Sequence, residues 1–181
     1  SRGVVFIRGV TGREGDAESE ATVRDLIKAL GAGEEVAVDL RDLVGAFERL
    51  AGVDFDVMAL AGGPRALVLV AFLAAMQRGA RVYVVPEYGG EPVEVTGFTR
   101  LPQLLKLSNP RLRVLAALSA ARGYREVASE AGVDSTTALR HLERLAEVGL
   151  VERRGSRNAT YSADPDVARL AGVLLKLRGA V

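Results

Sequence analysis

Two kinds of apolar pattern take turns along the first eighty-five or so residues. Short continuous runs, Val4 to Ile7, Val36 to Leu40, Asp56 to Leu60 and Ala80 to Val85, have the character of strands whose two faces are both covered. Between them the spacing changes to three and four. Glu18 to Leu30 predicts a helix with Ala21, Leu26 and Leu30 inward, Leu43 to Leu50 a second, and Ala66 to Arg78 a strongly apolar third. Such alternation predicts a parallel sheet between helix layers, joined by right-handed crossovers. The expected strand order is 2-1-3-4, with Val93 to Val95 as a short edge strand.

Helical spacing resumes near Leu101, and Ser108-Asn109-Pro110 has the form of a cap with proline in the first turn, so a second domain is expected from 109 to 181 after a linker at 100 to 108. Within it, Arg125 to Ala131 is a short helix broken at Gly132-Val133-Asp134, and a second helix opens at Ser135 with Asp134 as its N-cap. Ala138, Leu142 and Leu145 share the buried face of that helix. Gly149 stops it; Leu150 to Arg154, a turn over Gly155 to Asn158, and Ala159 to Ser162 then form a hairpin. Helix, tight turn, helix and basic hairpin in this order spell a winged helix-turn-helix. The candidate DNA contacts are Ser135, Thr136, Thr137, Arg140 and Arg144 on the reading helix, and Arg153, Arg154 and Arg157 on the wing. A last helix begins at Asp164-Pro165; its apolar face, with Val167, Leu170, Ala171, Leu174 and Leu175, suits packing on its own domain or on a second copy.

Charge supports this division. Residues 1 to 105 carry 11 Lys+Arg against 15 Asp+Glu, and residues 106 to 181 carry 13 against 8, although the 181-residue chain as a whole is only +1. The basic part suits a polyanion, double-stranded DNA, and the acidic part does not. No cysteine and one histidine, His141, exclude disulfides, thiolate chemistry and a Cys- or His-built metal site, so no catalytic or metal residue is assigned. His141 is expected to be solvated or to face phosphate. With no long apolar run and no signal-peptide pattern, the expected location is cytoplasmic, with no membrane partner.

In an open parallel sheet, ligands sit beyond the carboxyl ends of the strands where connections diverge. Two glycine-rich exits flank that place, Arg8 to Asp16 and Ala61 to Arg65. Gly62 and Gly63 permit close backbone approach, Pro64 suits a first helical turn, Arg65 adds charge, and Thr11, Gly12 and Arg13 face them from the other loop. Together they suit a phosphodiester, provided Glu14, Asp16 and Glu18 point outward or serve hydroxyl and amino groups.

A Rossmann-like domain carrying Ala-Gly-Gly-Pro-Arg at residues 61 to 65, followed by a winged helix, resembles the CRISPR-associated Rossmann fold (CARF) transcription regulators of archaea. The resemblance implies a homodimer that senses a cyclic oligonucleotide, cyclic tetra-adenylate above all, with Gly62, Gly63 and Arg65 on phosphates and Thr11 to Arg13 closing over the ring. It implies no cofactor. Ala61 stands where related proteins often have Thr or Ser, which weakens the implication of ring cleavage; a slow, metal-independent ring nuclease is the enzymatic alternative. A dinucleotide of the NAD type is the other, from Gly9, Gly12 and Gly15 with Asp39 after the second strand, although GxxGxxG departs from the usual GxGxxG.

Overall fold

A computed structural model describes residues 3–156 and 158–179, and the chain divides into two compact units that meet at Val95 and Thr96. The first contains β1 (Val5–Val10), α1 (Asp16–Leu30), β2 (Glu34–Asp39), α2 (Leu43–Ala51), β3 (Val57–Leu60), α3 (Arg65–Arg78), β4 (Arg81–Val84) and β5 (Val93–Glu94). The alternation expected from the sequence is present, and the unit is Rossmann-like. β1 and β2 pair in parallel from Val5 opposite Glu34 to Val10 opposite Asp39, β3 and β4 pair in parallel, and β5 returns antiparallel along β4.

The pleat sorts side chains onto two faces. Val38, Met58 and Val82, with Ile7 and Val36 beside them, point toward α2 and α3 and meet Ala46, Leu50, Leu67, Val70, Ala71, Ala74 and Ala75. Small residues dominate that face of α3, so its backbone lies close to the strands. Arg8 projects the other way. Its guanidinium is 10% exposed and pairs with Glu35 on β2 and, at 3.7 Å, with Glu20 on α1, which places α1 over the opposite face.

Three expectations are corrected. The 2-1-3-4 order is present as two separate ladders, a pair 2-1 and a triplet 3-4-5, and no ladder joins β1 to β3 among the described residues. An apolar run fixes which residues face a core, but not which strand supplies the hydrogen bonds. At this seam β1 instead packs on side chains: a methyl on Gly9 would stand 2.5 Å from Leu40 Cδ1 and 3.5 Å from Leu67 Cβ. The sheet is also not covered throughout, since Val57 is 45% exposed. Finally, Ala21, Leu26 and Leu30 do not point inward on α1. Leu26 and Leu30 are 45% and 59% exposed, and Val23 is the helix's buried residue.

The second unit comprises a 3-10 turn (Thr96–Arg100), α4 (Leu101–Leu105), α5 (Asn109–Ala116), β6 (Arg122–Gly123), α6 (Tyr124–Ala131), α7 (Ser135–Glu147), β7 (Glu152–Arg154), β8 (Thr160–Ser162) and α8 (Pro165–Leu177). Leu104, Leu112, Leu115, Leu118, Val127, Leu142, Leu145 and Tyr161 form its dry centre. The stretch expected as a linker belongs to this unit. Leu104 is fully buried, and Arg178 donates hydrogen bonds of 2.7 Å to the carbonyls of Leu105 and Leu107, tying the segment to the end of α8. α8 itself packs on its own domain through Val167, Ala168, Ala171, Leu174 and Leu175.

Leu50→Ala in the first unit is expected to cost about 2–5 kcal/mol, because it leaves a cavity in a packed interior. Leu26→Ala and Leu30→Ala should each stay within about 0.5 kcal/mol of the parent. Urea denaturation of the three variants measures the difference.

Candidate nucleic-acid interface and ligand rim

The reading helix α7 is set by its start. Asp134 accepts a hydrogen bond of 2.9 Å from the Thr137 backbone N–H, and the Thr137 side chain first, then this backbone bond, hold its carboxyl below the usual carboxylate range. Gly132 turns the chain between α6 and α7 in a left-handed conformation, φ 64°. Ala138, Leu142 and Leu145 are buried, which leaves Ser135, Thr136, Arg140 and Arg144 exposed on the outer face. Thr137 is half-buried, with its N–H spent on the cap.

The wing is a three-stranded sheet rather than a bare hairpin. β8 lies between β7 and β6, with Arg122 opposite Tyr161. The strand β6 escaped sequence reading because two residues carry no periodicity; the buried Tyr161 is what it closes over. Arg153 and Arg154 are exposed on β7, and Arg157 lies outside the described residues.

These cations are not equivalent. Arg144 pairs with Glu147 at 2.6 Å, and Arg154 with Glu152 at 3.0 Å, a contact that raises the arginine's pKa. Arg140 and Arg153 are exposed and enter no ion pair among the described residues. His141 is half-buried, and burial, followed by Arg111 and Arg140, pushes its pKa below the usual value. Those surroundings favour the neutral imidazole. Across the folded unit from 96 to 181 the balance is 14 Lys+Arg to 8 Asp+Glu, against 10 to 15 from 1 to 95.

At the carboxyl edge of the first unit's strands, the β3–α3 turn is open. Gly62 and Gly63 have φ of 141° and 98°, a region closed to most side chains, and nothing lies within 4 Å of a Cβ at Gly62. Pro64 precedes α3 without a side-chain cap, and the first helical donors are Leu67 and Val68, both to the Pro64 carbonyl. The N–H groups of Arg65 and Ala66 thus precede the hydrogen-bonded turn. Arg65 is exposed.

The β1–α1 turn differs from expectation. Asp16 points inward and accepts from Thr11 N at 3.0 and 3.1 Å, Thr11 Oγ1 at 2.8 Å and Gly12 N at 2.7 Å. The donors of Thr11 and Gly12 are therefore engaged by the protein's own carboxylate. Arg13 is exposed.

One rim residue was missed by sequence reading. Arg41, just beyond β2, donates from Nε and Nη2 to the two carboxylate oxygens of Asp39 at 2.8 and 2.7 Å, and from its backbone N–H at 2.9 Å. Its Nη1 lies 3.3 Å from where a Cβ on Gly12 would stand, so the guanidinium covers the β1–α1 turn. The available signal was the Asp-x-Arg spacing at a strand exit. Its side-chain bonds, above all, lower the Asp39 pKa to about 2. Both Asp39 oxygens already accept from Arg41, so a dinucleotide's ribose would have to share this carboxylate with the guanidinium.

Residues 112–155 match the IclR helix-turn-helix domain, which spans α5 through the wing's first strand. Over 177 residues, 98% of this chain and 87% of the relative, the sequence is 41% identical to the CRISPR locus-related protein Csa3 of Thermoproteus tenax. The chain belongs to the Csa3 family. It is a DNA-binding transcription regulator of the CRISPR-locus type. Among solved structures, the homodimeric winged helix-turn-helix domain of Mb0332 from Mycobacterium bovis aligns with this Csa3-family chain at a TM-score of 0.35 and 29% identity, covering 46% of this chain and 79% of that one. Sso10a-2, a DNA-binding protein from Sulfolobus solfataricus, aligns at 0.34 and 17%, covering 40% and 80%. No helix among the described residues is long and apolar enough to cross a membrane.

Two measurements check the geometry of the Csa3-family site. In a carboxyl-detected NMR titration Asp39 should titrate near pH 2, and in Arg41→Ala it should return toward 3.8. Because the folded pKa is depressed, the pair's stabilisation is fully present above 3.8 and is lost as pH falls through about 2. In DNA-binding assays, Arg140→Ala should relax base preference, whereas Arg153→Ala should weaken all sequences alike and reduce the log-log salt slope by about 1.

Proposed function

We propose that the first unit senses a cyclic oligoadenylate, with cyclic tetra-adenylate as the ligand, and that binding changes how a homodimer holds its operator. The observation that carries this reading is the unobstructed glycine turn ahead of α3, where a side-chain-free backbone meets a helix start. Phosphate is favoured at such a start because unpaired N–H groups and the helix dipole point at it. Gly62, Gly63, Pro64 and Arg65 form this phosphate side, and Thr11, Gly12 and Arg13 the opposite lip. Arg41 adds a third cation to the rim. The CARF resemblance supports the choice of ring, and the Csa3 relationship supports its link to CRISPR loci.

Symmetry argues for two copies. A cyclic tetranucleotide has a two-fold axis, so two identical rims meeting on that axis make equal contacts, and the same axis sets two reading helices on a palindrome. The ring shifts the DNA-bound population only by its affinity difference between the two arrangements of the dimer. Ser135, Thr136 and Arg140 are assigned to base edges; Arg144, Arg153, Arg154 and Arg157 are assigned to phosphates.

Calorimetric titration with cyclic tetra-adenylate is expected to give one ring per two chains, with Arg65→Ala weakening binding at least about tenfold, the loss of one charge-assisted contact. Footprinting on the promoter of the neighbouring CRISPR locus should show protection that the ring alters. Tight binding of NAD without any response to the ring would reverse the assignment.

A further inference from the structure

The four contacts of Asp16 lie across the β1–α1 turn, reaching back from the first residue of α1 to Thr11 and Gly12. A carboxylate and a phosphate make the same demand of a backbone amide, a short bond to an anionic oxygen. Both cannot hold one pair of N–H groups at once. We propose that Asp16 is a displaceable latch: it occupies these donors in the unliganded protein, and a ligand phosphate entering the rim takes them over and releases the start of α1. The inference rests on the sensor reading above and adds to it how the ligand is registered by the fold.

Three features favour displacement over a fixed structural role. Arg13 is exposed on the same turn, and Arg41, although its Nε and Nη2 are held by Asp39, keeps Nη1 over Gly12, so cationic donors remain to receive an incoming anion once the carboxylate leaves. The Asp16 carboxylate is exposed enough to be rehydrated when freed, and its lowered pKa, due first to the Thr11 bonds, keeps it an anion at neutral pH. The helix it holds is the lightly docked one. α1 runs for 15 residues with Val23 as its buried side chain, whereas α3 buries Leu67, Val70, Ala71, Ala74 and Ala75. Apart from the latch, among the described residues α1 is tied to the strands by the Glu20–Arg8 ion pair. Loosening the first turn of α1 therefore gives up little packing.

The test uses the full-length protein and Asp16→Asn, which keeps the shape and removes the charge. Without ligand, amide exchange at Thr11, Gly12 and the first turn of α1 should rise by about tenfold in the variant, as expected when a local closing contact is weakened. Cyclic tetra-adenylate should bind the variant about tenfold more tightly, the competing anion having gone. In the wild type, the ring should protect Thr11 and Gly12 while speeding exchange in the first turn of α1. Glu18→Gln removes the same charge two residues on, at an exposed side chain, and should change affinity by less than about twofold. Equal gains in Asp16→Asn and Glu18→Gln would mean bulk charge rather than a latch. Unchanged exchange in unliganded Asp16→Asn, or ring binding that tightens α1, would overturn the proposal. If no variant binds the ring, the sensor reading falls and the displacement step with it, while exchange in the unliganded protein judges the contact itself.

Discussion

A helix begins with N–H groups that no residue within it can satisfy, and how each helix start is satisfied organises this molecule. Aspartates do so for α2, α7 and α8, through Asp42, Asp134 and Asp164. At α7 the cap fixes where the exposed face of the reading helix points. At α8 it fixes the helix that closes the C-terminal core. The start of α3 is different, because Pro64 has no side-chain oxygen to offer and the space at Gly62 ahead of it is clear. The N-terminal unit thus holds one helix start supplied with an internal anion, at α2, and one that no side chain caps, at α3. The β1–α1 turn stands between these cases, since its donors are met by a carboxylate that a stronger competitor can displace.

Electrostatics extends this division to the whole chain. The first unit is acidic and the second basic, although the two nearly cancel in the net charge of +1. An acidic body would repel a nucleic acid, so within it cations matter where they are concentrated: Arg13, Arg41 and Arg65 all lie at strand exits. In the second unit the internal pairing of Arg144 and Arg154 tempers a surface that would otherwise bind any polyanion. An arginine already paired must leave a carboxylate before meeting phosphate, which costs part of its gain. Arg140 and Arg153 carry no such handicap.

Much of this was legible in the chain. The Asp134 cap, the Ala138-Leu142-Leu145 face and the breaks at Gly132 and Gly149 are local signals, and local signals survive into the fold. The alternation of strands and helices was legible for the same reason. What escaped depended on geometry that no period reports, whether the partners lay far along the chain or within one turn. Ala21, Leu26 and Leu30 looked like an inward face, yet Val23 and Ile27, four residues apart, are the positions turned toward the sheet. The gap between β1 and β3 is invisible to any pattern of apolar residues. Asp16 was an acidic residue near a supposed anion, and its capture by Thr11 and Gly12 follows from the turn at Gly15, φ 102°, which no periodicity reports. Arg41 was overlooked because it belongs to no apolar pattern and faces Gly12, far earlier in the chain.

The middle place of β8 in the wing has a consequence for how this surface can vary. Its centre strand is flanked on both sides, and Tyr161 plugs the core beneath it, so a slip by one residue would turn that ring into water and break two ladders together. The height of Arg153 above the body of the domain is thereby gauged from below, by an anchored floor. A substitution that keeps the hairpin's length can therefore reshape the fingertip and leave the knuckle beneath it in register.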